Sequence, residues 1–146
     1  MPGFTEMGRE QMSIAGEPIN CGVGGVPTGQ KNTGTVDMSK FHRCIFLINV
    51  GSHVAGTVDG SIRETDESGG GNSTNISGSS LAQITSANVQ ASLEVNATQV
   101  TKRYILFGGV VAGATVNMAV IPIGFQARNS PANVADVASV NQRKAV

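Results

Sequence analysis

Nucleophilic, acid–base and metal chemistry need His, Cys, Asp and Glu at workable spacings, so these residues come first. The histidines are His42 and His53, and the cysteines are Cys21 and Cys44. Nucleophilic catalysis needs a nucleophile, a base and a group that orients the base. Neither histidine has a carboxylate run beside it, and no C-x-x-C or H-x-x-x-H spacing of a metal site occurs. Asp59, Glu64, Asp66 and Glu67 surround a Gly-rich turn, but the alternating oxygen ligands of a calcium loop are missing. They read as a solvated loop. The stretch Gly24-Gly-Val-Pro-Thr-Gly-Gln-Lys31 comes one residue short of a phosphate-cradling G-x-x-x-x-G-K-[ST] pattern: Gln30 stands where lysine is required. Neither a strand leads into it nor a helix out of it, so the backbone amides are not set up to cradle a phosphate. The expectations are therefore no catalytic residue, no metal and no cofactor.

Aromatic recognition is equally thin. The chain has no Trp, one Tyr and five Phe. Phe41, Phe46, Tyr104 and Phe107 lie in apolar runs and read as core rather than as a stacking platform for sugars or bases. Lys plus Arg equals Asp plus Glu at 10 each, so the basic excess of a nucleic-acid binder is absent. No apolar stretch approaches the roughly 20 residues of a membrane span. The opening residues, Met1-Pro-Gly-Phe-Thr-Glu, carry neither the basic region nor the apolar core of a signal peptide. Asn72, Asn75 and Asn96 begin N-x-[ST] sequons, read as accidents of an Asn/Ser/Thr-rich chain. Cys44 lies in an apolar run and Cys21 among glycines, and both are expected to be reduced thiols.

The elements that would position any site follow from hydrophobic periodicity. Of the 146 residues, 54 are Gly, Ser, Thr or Asn, and 17 are Val. Only 14% are charged, against about a quarter in an ordinary globular domain. A soluble monomer keeps more charge outside, so the composition points to a Val/Thr/Gly-rich β protein whose surface other chains cover. Phe41-His-Arg-Cys-Ile-Phe-Leu-Ile-Asn-Val50 reads as a central strand buried on both faces. Residues 57–64 alternate, with Val58 and Ile62 on one face and Asp59, Ser61 and Arg63 on the other. Residues 65–73 read as an exposed turn with no means of burying itself. Ser92–Ala97 alternates with Leu93, Val95 and Ala97 inward. Arg103–Val111 reads as a buried strand with a bulge at its Gly pair. Residues 114–121 place Val116, Met118 and Val120 on one face, and Pro122 is expected to end or edge that strand.

Short strands, Gly-rich turns and no convincing helix predict an all-β fold, an antiparallel β-sandwich of the jelly-roll kind. Residues 1–35 read as an extended Gly-rich N-terminal arm, 36–127 as the β domain and 128–146 as a C-terminal extension. Five apolar residues of the arm need a partner to cover them: Phe4, Met7, Met12, Ile14 and Ile19 are the candidate capsid or subunit contacts.

Three stretches give the chain a recognisable look. Val36-Asp-Met-Ser-Lys-Phe-His-Arg43 precedes the apolar strand; Lys102-Arg-Tyr-Ile-Leu precedes Gly108-Gly-Val-Val-Ala-Gly-Ala-Thr; and Ile123-Gly-Phe-Gln-Ala-Arg-Asn-Ser-Pro-Ala132 precedes Val137-Ala-Ser-Val140. Over about residues 34 to 140 the chain resembles small structural proteins of tailed bacteriophages, the head decoration or cement proteins. The resemblance implies a jelly-roll dimer or trimer on the capsid exterior, assembled in the host cytoplasm. The poverty of His, Asp and Glu disfavours an enzyme, and the neutral composition excludes nucleic acid and membrane as partners of the chain. Its partner would be the major capsid protein, whose adjacent subunits it would join against the pressure of packaged DNA. The alternatives are a minor head-completion or tail protein, or a host- or sugar-binding jelly-roll module on the particle.

Overall fold

Cys44, Phe46, Ile48 and Val50 give the segment Phe41–Val50 one face to bury. The computed structural model, which describes residues 12–19 and 24–128, builds the molecule around it. Nine strands follow in chain order: β1 (Met12–Ile14), β2 (Gly29–Asn32), β3 (Val36–Asp37), β4 (Phe41–Val50), β5 (Thr57–Thr65), β6 (Thr74–Ser80), β7 (Val89–Asn96), β8 (Tyr104–Ala112) and β9 (Met118–Ala127). Ala97–Gln99 forms a single 3₁₀ turn, and the described residues contain no α-helix. The fold is all-β. One antiparallel sheet runs β1-β9-β4-β7 and the other β2-β8-β5-β6, with β3 also paired to β8.

The two sheets share one apolar core. Cys44, Phe46, Ile48 and Val50 of β4 meet Val58 and Ile62 of β5, Ile105, Phe107 and Val111 of β8, and Met118 and Val120 of β9. The predicted faces of residues 57–64 and 114–121 match this burial. β4 is central, between β7 and β9, but it is buried on one face only. Ile45 is half-buried and Leu47 is 37% exposed. An unbroken apolar run cannot distinguish these cases, because Ile45 and Leu47 are as apolar as their inward neighbours.

Other expectations change for local reasons. The Gly108–Gly109 pair makes no bulge: the β5–β8 ladder runs in unbroken register from Thr57–Ala112 to Thr65–Tyr104. Glycine is required there by close approach, since a Cβ on Gly109 would lie 2.7 Å from the Phe107 ring. The irregularity falls between Ser61 and Arg63, where β5 faces β6. Pro122 neither ends nor edges its strand, and β9 continues to Ala127. The Pro122 carbonyl accepts from the Ala15 amide at 3.1 Å. In an extended strand a residue's N–H and C=O point to the same side, so the missing donor faces the β1 side just past the end of β1. The β4 ladder loses nothing.

The described residues before β3, 12–19 and 24–35, pack with the two sheets and are not an arm apart from them. β1 pairs β9, and β2 pairs β8. The Ile19 and Val120 amides donate to each other's carbonyls at 3.0 Å, and Val26 and Val116 exchange bonds at 2.8 and 3.1 Å. Ala15, Ile19 and Val26 join the core. Thr33 clamps β8, its hydroxyl accepting from the Phe107 amide at 3.0 Å. Strands of two to four residues leave too short a periodic trace to read in sequence. Residues 129–146 lie outside the described residues.

Deleting residues 1–33 should therefore cost stability. Losing Ile19 and Val26 forfeits about 1.5–3 kcal/mol of burial for each side chain, before the lost β1 and β2 ladders. A thermal melt of the truncated chain should show a clearly lower midpoint; an unchanged midpoint would restore the independent-arm reading.

Candidate interaction surface

The outward face of the four-stranded sheet is built by register. Arg43, Ile45, Leu47 and Asn49 of β4 stand opposite Phe125, Ile123, Ile121 and Ala119 of β9. On the other side they stand opposite Asn96, Glu94, Ser92 and Gln90 of β7. Leu47 and Ile121, directly paired, are each 37% exposed, and Ile45 and Ile123 are half-buried. They form a continuous apolar strip. Among these twelve residues the only formal charges are Arg43 and Glu94, and they face each other at 3.5 Å. The Arg43 guanidinium lies 4.7 Å from the centre of the Phe125 ring, a cation–π geometry that keeps it against the sheet. The face is thus net neutral and apolar along its middle. Beneath it, burial pushes the Cys44 thiol up to about 12, so this free cysteine is an inert core residue.

The opposite surface, on the five-stranded sheet, is polar. An open trough of about 470 Å³ lies over Gly108 and is lined by Gln30, Asp59, Ser61, Arg63, Asn75 and Val110 among others. Ser61 donates to Asn75 at 3.0 Å, and Gln83 donates to Asp59 at 2.8 Å. The Arg63 Nη2 donates to the Ser73 carbonyl at 3.0 Å, and its Nε is buried with no hydrogen-bond partner among the described residues. Among the described residues no aromatic side chain lines the trough.

The Gly-rich loop after β5 is more organised than a bare solvated turn. Thr35 donates to the Ser68 carbonyl, Thr65 to that of Gly71, and the Glu67 amide to the Thr65 hydroxyl. A Cβ on Gly70 would lie 3.7 Å from Leu106 Cδ1, and Leu106 is buried although it faces outward from β8. The loop covers this leucine while Asp66 and Glu67 remain exposed.

The chemically capable residues are kept apart. His42 and His53 lie near opposite ends of β4, roughly 30 Å from each other at the rise of an extended strand. Glu64 is held by the Thr101 hydroxyl and the Thr101 and Lys102 amides. Burial raises its pKa, but these bonds outweigh that and bring it below its ordinary value. Asp59 and Glu67 are occupied by Gln83 and Asn72. Among the described residues no three His, Cys, Asp or Glu side chains converge as metal ligands.

Of the five contact residues expected from sequence, Phe4 and Met7 lie outside the described residues. Met12 and Ile14 stand opposite Phe125 and Ile123 in the β1–β9 ladder, in register with the apolar strip. Ile19 is 7% exposed and covered by the chain's own core. Sequence reasoning missed Ile45, Leu47, Ile121 and Ile123; the scarcity of charge pointed to a covered surface but not to its place. No helix among the described residues is long and apolar enough to cross a membrane. No protein-family model matches the chain, and neither does any curated protein.

A second charged pair sets an acid response. Arg103 grips Asp37 through Nε at 3.1 Å and Nη2 at 2.8 Å, and the Ser39 amide adds a bond at 3.0 Å. The arginine bonds, more than any other contact, hold the Asp37 carboxyl down from 3.8 to about 2. A carboxyl depressed in the folded state adds stability above its unfolded pKa, and this is lost as pH falls through the folded value. In urea titrations the wild-type chain should lose this increment between about pH 4 and pH 2. Asp37→Asn should be less stable at neutral pH and should show a flatter acid limb. Parallel limbs for both proteins would remove Asp37 from the acid response.

Proposed function

We propose that this chain is a structural virion protein of a tailed phage, which binds the outside of the head and joins adjacent major capsid protein subunits. The observation that carries the reading is the neutral, apolar outward face of the four-stranded sheet, which suits a subunit that pairs with further copies of itself on a shell. A surface strip of Ile45, Leu47, Ile121 and Ile123 beside a self-paired Arg43 and Glu94 suits contact with protein rather than water. The phage-like stretches at Val36–Arg43, Lys102–Leu106 and Ile123–Ala132 favour the decoration class within that reading.

The fold is read as a jelly-roll β-sandwich. Support comes from the strand order, β1-β9-β4-β7 against β2-β8-β5-β6. It sets the first strand beside the last and sends β4–β5, β6–β7 and β8–β9 across from one sheet to the other, as paired Greek keys do. The occupant of the apolar face is a second copy of this chain. Four strands at about 4.8 Å spacing and roughly 30 Å length make a face of roughly 500 Å², close to the scale of one side of a stable interface, about 800 Å². A two-fold pairing would set strip against strip without stranding a charge.

A sugar- or host-binding module is the second reading, favoured by the polar trough around Arg63. It is the weaker one, because the trough lacks the aromatic platform on which sugars stack.

Heads of the encoding phage, assembled without this protein, should take up the purified chain in many copies when co-sedimented. A few copies per head would favour a neck or tail position, and none would end the proposal. Leu47→Asp should shift the chain toward monomer in light scattering with little change in melting temperature, because the side chain is already partly in water. An unchanged oligomeric state would exclude this face as the self-contact.

A further inference from the structure

The loops at the two ends of the molecule differ in charge. Val50 pairs with Val89 and Met118, Thr57 with Ala112, and Gly29 with Val111. These pairings bring four loops to one end: residues 24–28, 51–56, 81–88 and 113–117. Not one of their residues is Lys, Arg, Asp or Glu, and the single titratable side chain is His53. The loops at the other end, residues 33–40, 66–73 and 97–103, carry Asp37, Lys40, Asp66, Glu67, Lys102 and Arg103. Arg128 joins them, its amide donating to the Lys40 carbonyl at 2.9 Å.

The uncharged end is also braced. The Gly51 amide donates to the Asn117 carbonyl at 2.6 Å, the Asn88 amide to the Gly51 carbonyl at 3.2 Å, and Val58 and Ile84 exchange bonds at 2.9 Å. Asn117 Nδ2 donates to the Ser52 carbonyl at 2.7 Å. Gly25 (φ 86°) lies so close to the 113–117 loop that a Cβ would meet Thr115 and Asn117 at 2.7 Å. From this braced base Val54 projects with its side chain wholly exposed. Beside it an open cleft of about 570 Å³ runs between the 51–56 and 113–117 loops. Loop ends of soluble proteins ordinarily carry charge, and the centres of protein interfaces are depleted of it. Bracing the loops before contact lowers the ordering cost of binding.

We infer that this end, whose four described loops contain no charged residue and meet one carboxylate, Asp59, through Gln83, is the seat on the shell, with Val54 entering an uncharged pocket of the capsid subunit and the charged end pointing outward. The inference rests on the decoration reading and adds its polarity. Two sheets about 10 Å apart and about 19 Å wide present roughly 200–400 Å² at one end, well below a stable interface on its own. Attachment therefore depends on several copies binding together, which the lateral pairing of the apolar face would supply.

The test uses the full chain and heads assembled without it. Val54→Asp places a charge at the tip of the seat without touching the core, and Lys40→Glu changes charge at the far end as the control. Val54→Asp should lower head occupancy at least about tenfold, with oligomeric state and melting temperature unchanged, while Lys40→Glu should bind as the wild type. Wild-type occupancy should hold between about 50 and 500 mM salt, since the described loops of the seat contain no charged residue. Undiminished occupancy for Val54→Asp would overturn the inference, as would an equal loss for Lys40→Glu or a change of oligomeric state in Val54→Asp. If the wild-type chain itself fails to bind heads, the decoration reading falls and takes this inference with it; if it binds and Val54→Asp binds equally, only the seat is wrong.

Discussion

Packing between the inner faces of the two sheets is the constraint on which the rest of the structure depends. Phe46 and Ile48 from one sheet and Ile62 and Phe107 from the other are fully buried. Neither sheet could hide these side chains alone, because a sheet has a second face and only the partner covers the first. The close approach of Phe107 then forces glycine at position 109. The short pieces before β4 close the margins of the core, with Ile19 and Val26 entering through backbone bonds to β9 and to the turn before it.

Once the inner faces are committed, the outer faces are free to differ, and they do. The four-stranded sheet presents an apolar strip with one ion pair. The five-stranded sheet presents hydroxyls, amides, Asp59 and Arg63 around a glycine floor. At right angles to this difference runs a second one, between an end whose described loops contain no charged residue and a charged end. A chain with 14% charged residues has few to place, and among the described residues none falls in the loops 24–28, 51–56, 81–88 and 113–117. Solubility of a single copy is the property such a distribution serves least.

Several strands were legible because their side chains carry a period of two with clear contrast. Val58 and Ile62 against Asp59, Ser61 and Arg63 gave both the strand and its buried face, and Val116, Met118 and Val120 did the same. Contrast failed along Cys44–Ile48, where outward Ile45 and Leu47 are as apolar as inward Phe46 and Ile48. Before residue 36 the strands were too short to show any period. Pro122 misled because its cost depends on whether a neighbour needs its N–H at that point in the ladder, which is a matter of pairing. The surface now put forward was legible only as a shortage of charge, while the contact residues chosen from sequence fell in undescribed segments, on β1 or, for Ile19, in the core.

The amino-acid sequence by itself determined the class of the fold, the positions of its main strands, and the neutrality of a surface with little charge to spend. These follow from side-chain type and near-neighbour spacing, which act locally along the chain. Tertiary structure decided which apolar residues stay outside, which loops share an end, and that residues 12–19 and 24–35 pack with the two sheets. Those outcomes hang on hydrogen-bonded pairing between residues far apart in sequence, such as Val58 with Val111 and Ile19 with Val120. Such pairing places Val54 and the uncharged loops together, although nothing in their separate sequences brings them to one end.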